Sequence, residues 1–141
     1  MSKVIEIRIK EEQPFYFKGI NSDGTVTYTD AAGFKGVENR SFKPMEMILL
    51  GLAGCASVDA LVILKKQRQK VDAYEVRVAG TRVDTVPAVY EDIKLHFKLW
   101  GRLDAQKVEA AIALSIEKYC SVATMLERGG VKISWTSEVC S

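Results

Sequence analysis

A chain of 141 residues with 48% hydrophobic and 27% charged side chains has the composition of an ordinary globular protein, large enough for one buried core. Its net charge of +2, with no dense basic cluster interleaved with aromatics and no zinc-finger spacing, argues against nucleic acid as a partner. Met1 to Lys10 alternates apolar and charged residues, unlike a signal or transit peptide, so a cytoplasmic location is expected. Disulfides there tend to be transient and catalytic. No repeat, low-complexity tract or interdomain linker interrupts the chain, and a single domain over 1–141 is expected.

In chain order, Val4 to Ile9 reads as a half-buried strand, followed by Phe15 to Ile20. Asn21-Ser-Asp-Gly24 is a turn, with Thr25 to Thr29 as the returning strand of a hairpin. Ala31 to Lys43, which contains Gly33 and Gly36, lacks periodicity and is expected to be an irregular loop. Pro44 suits a first helical position, with Glu46 at the positive end of the helix dipole. The helix is expected to run to Lys70, where Lys65, Lys66, Arg68 and Lys70 complement the negative end.

Tyr74 to Val78 and Ile93 to Leu99 alternate as strands. A second helix is expected from an Asp104 N-cap, with Leu103 and Val108 as a hydrophobic staple and Val108, Ile112, Ile116 and Tyr119 as its core stripe. A shorter helix, Val122 to Arg128, stops at Gly129-Gly130 before a last strand, Val131 to Trp135. The pattern is α+β, and its short strand connections favour antiparallel pairing.

The long helix is apolar nearly all round from Met47 to Leu64, with Asp59 its only charge. Its length and trailing basic cluster would also suit a membrane span. Asp59 at mid-span would cost about 2.5–3.5 kcal/mol, and the amphipathic strands offer an alternative cover. A soluble helix of this kind must be covered on every side. One small sheet covers one side, so a second subunit is expected to cover the rest, with no membrane.

Two cysteines carry the chemistry. Cys55 lies in Gly51-Leu-Ala-Gly-Cys-Ala-Ser57 and Cys120 in Glu117-Lys-Tyr-Cys-Ser-Val122, far apart in the chain and each in a helix-like region. Only a thiolate attacks peroxides or disulfides, and a free thiol of pKa about 8.5 is little ionised at neutral pH. Cys120 gains a helix N-terminus if a helix starts at Ser121. Cys55, mid-helix, needs a cation, and Arg40, Arg77 and Arg82 are the nearest in sequence. Asp59, four residues on, shares its helical face and could hold an arginine beside the sulfur. Free cysteine is also among the most buried residue types, and on spacing alone two inert core thiols is the stronger reading. His96 alternates with Lys94 and Lys98 on a polar strand face and is expected to be exposed. No metal-ligand spacing, phosphate loop or other cofactor motif is present, and Cys140, next to the C-terminus, is taken as incidental.

Pro44-Met-Glu-Met-Ile-Leu-Leu-Gly-Leu-Ala-Gly-Cys55 together with Lys118-Tyr-Cys-Ser-Val122 resembles the OsmC/Ohr family of osmotically inducible and organic hydroperoxide resistance proteins. Gly80-Thr-Arg82 followed by Pro87 is similar to its broader OsmC-like branch. The resemblance implies an OsmC-like α+β fold, antiparallel sheets wrapped around the long helix and a helix pair, in an intertwined homodimer with sites at the subunit interface. It implies a peroxidatic Cys55 that becomes a sulfenic acid on reducing an organic hydroperoxide, a resolving Cys120, and a small dithiol or dithiol-protein reductant. Glu46, Asp59, Arg40 and Arg82 are the candidate supporting residues. The chain departs from the Ohr motif at Met45, where a glutamate is expected, so that Glu46 comes one residue late. It departs again at Ser121, where a proline is expected. Two alternatives remain open: a non-catalytic dimer binding a small hydrophobic ligand, and a hot-dog-type thioesterase.

Overall fold

The computed structural model describes residues 2–31, 36 and 38–141. These fold as two compact units, Met1–Ile48 and Leu49–Ser141. In the first, β1 (Ile7–Gln13), β2 (Tyr16–Asn21) and β3 (Val26–Asp30) form an antiparallel sheet in the order β1-β2-β3. The turn after β2 is where the sequence puts it: the Asn21 side-chain oxygen accepts from the backbone N–H of Asp23 (3.0 Å) and Thr25 (2.9 Å), and Gly24 supplies the positive φ. β1 begins and ends later than expected and is exposed along its whole length instead of half-buried.

Asp30 closes this unit. Its Oδ2 accepts from the backbone N–H of Arg40 and Ser41, both at 2.8 Å, and its Oδ1 lies 2.9 Å from the Lys43 ammonium. Lys43 foremost, with the two N–H groups and the Ser41 hydroxyl, outweighs burial and pulls the carboxyl down to about 2. The chain leading into the long helix is thereby tied to the sheet, aided by a parallel bridge between Thr29 and Phe42. The rest of the expected loop, Gly33 included, lies partly outside the described residues.

Helix α1 (Pro44–Lys66) starts on its proline, and Glu46 reaches back to accept from the Lys43 N–H at 2.8 Å, one half of a capping box. It ends four residues before Lys70. Arg68 takes a φ of 58°, with Arg68 N–H bonded to Lys65 O (3.0 Å) and Gln69 N–H to Leu64 O (2.9 Å). That is a Schellman stop built on arginine instead of glycine, and the sequence carries no sign of it. By length and composition α1 could cross a membrane, like the core helices of many soluble proteins.

The second unit pairs β4 (Ala73–Arg82) with β5 (Tyr90–Trp100) antiparallel, and β5 with β6 (Lys132–Cys140) parallel, in the order β4-β5-β6. The expectation of antiparallel pairing fails only for β6. Its connection from β5 is a helical crossover, and such a crossover allows parallel pairing. Cys140 ends β6 opposite Trp100 and belongs to the sheet, not to a loose terminus. Ile93, Leu95, Phe97 and Leu99 of β5 are buried together with a stripe of α1, Leu52, Ala56, Ala60 and Leu64. Gly80 permits a close approach within this core: a Cβ there would fall 2.6 Å from the ring of buried Tyr90.

Asp30 sets an acid limit on the first unit. A carboxylate with a depressed pKa contributes its full stability above the ordinary value and loses it as pH falls through the folded value. The amide resonances of Arg40 and Ser41, followed by NMR from pH 5 downward, should move with a midpoint near 2; a midpoint near 3.8 would contradict the arrangement.

Candidate active site

Cys55 lies on α1, one residue before the buried Ala56, and is half-buried. Cys120 arrives on a different path. Helix α2 (Ala105–Leu114) starts on the expected cap, with Asp104 Oδ1 accepting from Gln106 N–H at 2.9 Å. It buries Val108, Ala111 and Ile112, then widens into a π turn, Ser115–Tyr119. The Cys120 N–H closes that turn on Ser115 O at 2.7 Å. Helix α3 (Ser121–Arg128) begins at once, with Cys120 as its N-cap. Ser121 therefore opens the helix without the family's proline.

The Cys120 sulfur accepts from the Ala123 N–H at 3.4 Å. The two cysteines are both free thiols, close enough for Cys55 to act on the Cys120 thiol. Burial pushes the Cys120 thiol up to about 11, against the pull of the Ala123 and Val122 N–H groups. The Cys55 sulfur adds to the rise by accepting from the Cys120 thiol and by opposing a second negative charge beside it. Cys120 is thus a protonated donor, sealed from solvent, next to a more accessible Cys55.

Ser115, which the sequence reading missed, joins the two paths. It is fully buried, and its hydroxyl donates to the Ala56 carbonyl at 2.8 Å. The same residue opens the π turn, so one side chain ties the approach of Cys120 to the residue beside Cys55. The signal was weak: a serine in an apolar helix whose acceptor is remote in sequence. A second hydroxyl chain stands nearby, Tyr74 to Ser57 (2.7 Å) and Ser57 to the Ala53 carbonyl (2.6 Å). Burial raises the Tyr74 phenol to about 12, so it remains a donor at any working pH.

The supporting residues have other partners. Arg40 donates to Glu38 at 2.9 Å and to Gln13 and lies 5.0 Å over the Tyr16 ring, all in the first unit. Glu46 caps α1, as described. Arg82 donates from Nε to the Ala88 carbonyl at 2.7 Å, bracing the loop that holds the cis Val86–Pro87 bond. Arg77 lies on the sheet face turned away from α1, since its neighbour positions 76 and 78 face inward. Asp59 is half-buried beside Val62, Ile63 and Lys66 of its own helix, at a cleft also lined by Leu114 and Tyr119. Tyr119 itself is half-exposed and not part of the core stripe, because the π turn rotates it off the line of Val108, Ile112 and Ile116.

Residues 37–136 match the family model described as OsmC-like protein. The chain belongs to the OsmC-like family. It is 38% identical to Protein YhfA of Escherichia coli (strain K12), over 96% of this chain and 98% of that one. A crystal structure of a hypothetical protein from Aquifex aeolicus VF5 shares 30% identity, with a TM-score of 0.82 and coverage of 99% of this chain and 100% of that one. The organic hydroperoxide resistance protein OhrB of Bacillus subtilis has the same fold at 15% identity, with a TM-score of 0.65 over 96% of this chain and 98% of that one. The two thiols of this OsmC-like chain lie at the N-terminus of α3 and on α1, the elements that the motif residues form.

Replacing Ser115 by alanine removes one buried hydrogen bond, a cost of about 1 kcal/mol. It should also slow diamide-driven formation of the Cys55–Cys120 disulfide, whereas Ser57→Ala, which removes a hydroxyl with no link to Cys120, should not. Equal cross-linking rates in the two variants would show that Ser115 does not hold the thiols in register.

Proposed function

We propose that this OsmC-like chain is a thiol-dependent peroxidase that reduces organic hydroperoxides. The observation that supports this reading best is the pair itself: a half-buried Cys55 close enough to a buried Cys120 to help keep it protonated. The Cys55 thiolate attacks the terminal peroxide oxygen, the O–O bond breaks, and the alcohol leaves with a proton. Cys55 is then a sulfenic acid, which condenses readily with a neighbouring thiol. Cys120 attacks the Cys55 sulfur, the S–S bond forms and water leaves. A small dithiol or dithiol-protein restores both thiols by two exchange steps and departs as its own disulfide. The cytoplasm would keep such a reductant supplied.

A homodimer belongs to the same proposal. On α1, Leu50 is 54% exposed and Val58 63% exposed, on faces that the protomer leaves uncovered. A second copy would bury them and supply the apolar wall that favours alkyl hydroperoxides over hydrogen peroxide.

With cumene hydroperoxide and a dithiol reductant, Cys55→Ser should abolish turnover, Cys120→Ser should leave a sulfenic acid that dimedone traps, and Cys140→Ser should match the parent. Equal activity in all three variants would exclude the mechanism and revive the ligand-binding alternative. In sedimentation equilibrium the parent should weigh twice the chain, and Val58→Glu should shift it toward monomer; a parent that runs as monomer would rule out the second copy.

A further inference from the structure

A cavity away from the thiols lies on the outer sheet. It is an open trough of about 530 Å³ on the β4-β5-β6 sheet. The backbone of Val78, Leu95 and Trp135, three residues in register, floors it. No helix residue lines it, and Tyr74, on the same face as Val78, bonds to Ser57 of α1. The trough is therefore on the far side of the sheet from Cys55 and Cys120.

Its walls are two cross-strand rows. One is Arg77, His96 and Thr136; the other is Ala79, Lys94 and Ser134. Two permanent cations, an imidazole and two hydroxyls thus face a shared space with no carboxylate among the lining residues, and Ala79 keeps its centre low. The nearest acids on this face stand one row beyond: Glu75 and Glu138 on one side, Asp92 on the other. Glu138 is occupied by Lys98 (3.6 Å) and by His96 Nε2 (3.7 Å), and His96 Nδ1 is 2.6 Å from the Thr136 hydroxyl. Among the described residues neither Arg77 nor Lys94 makes an ion pair.

Arg77 and Lys94 lie diagonally across β4 and β5, with His96 opposite Arg77 and Ala79 opposite Lys94, so two like charges share the trough and no acid stands between them to offset their repulsion. An anion seated between the rows would relieve that repulsion, with the Arg77 fork suited to two oxygens and Lys94 acting as a point charge. The hydroxyl of Ser134 adds a neutral donor at the same level. The trough exceeds the volume of a bare oxyanion, which leaves room for an organic group along the aliphatic stems. We propose that this outer sheet face binds a soluble small molecule bearing a phosphomonoester, at a site separate from the thiol centre.

The test uses the full chain, isotope-labelled, at 150 mM sodium chloride. Titration with glycerol 3-phosphate should give saturable amide shifts confined to the central residues of β4, β5 and β6. Arg77→Ala and Lys94→Ala should each weaken binding at least tenfold, whereas Lys107→Ala, an exposed cation on α2, should leave it unchanged. Arg77→Lys, which keeps the charge and loses the fork, should fall between. Shifts that do not saturate, or that are equal in all variants, would overturn the proposal. So would binding to vesicles containing phosphatidic acid without binding to glycerol 3-phosphate, because the ligand would then be a lipid surface.

Discussion

The arrangement depends on one helix having to be buried from more than one side. α1 has no polar face to turn to water, and its fully buried residues form the line Leu52, Ala56, Ala60 and Leu64. Alanines on that line let neighbouring elements come close to the helix backbone. That closeness lets the Ser115 hydroxyl reach a main-chain carbonyl of α1, and lets a thiol from another element reach Cys55. An amphipathic helix with a bulky stripe would hold its neighbours further off.

The two thiols are chemically unequal. Cys120 is sealed in the interior, where loss of a proton is costly, and the helix N-terminus beneath it offsets only part of that cost. Cys55 has access to solvent. Two of the arginines expected to supply a cation beside Cys55 have other partners. Arg82 is engaged by the Ala88 carbonyl and Arg40 by Glu38, Gln13 and Tyr16.

Features specified by neighbouring residues were legible in the sequence. Pro44, the Asp104 cap, the Asn21 turn and the Gly129-Gly130 stop act within a few positions, so local chemistry decides them. The two cysteines were legible as a pair only through their flanking motifs. What could not be read was non-local. The parallel β5–β6 ladder follows from how the crossover packs, not from strand pattern. Arg68 stops α1 in a conformation that glycine usually signals. Ser115 looked like an ordinary helix residue because its acceptor is in another element. Tyr119 was misplaced because a regular repeat was assumed through a turn that carries an extra residue.

That extra residue gives the molecule slack in its length. Between Ser115 and Cys120 the backbone closes over five residues, where an ordinary helical turn closes over four. Loss of one of the residues between them would let the same two groups close as an ordinary turn, so the Cys120 side chain would keep its heading. The regular turns before Ser115 have no such slack, and loss of one residue there would rotate everything that follows by about 100°. The wide turn is therefore a place where the chain can shorten by one codon without redirecting what comes after it.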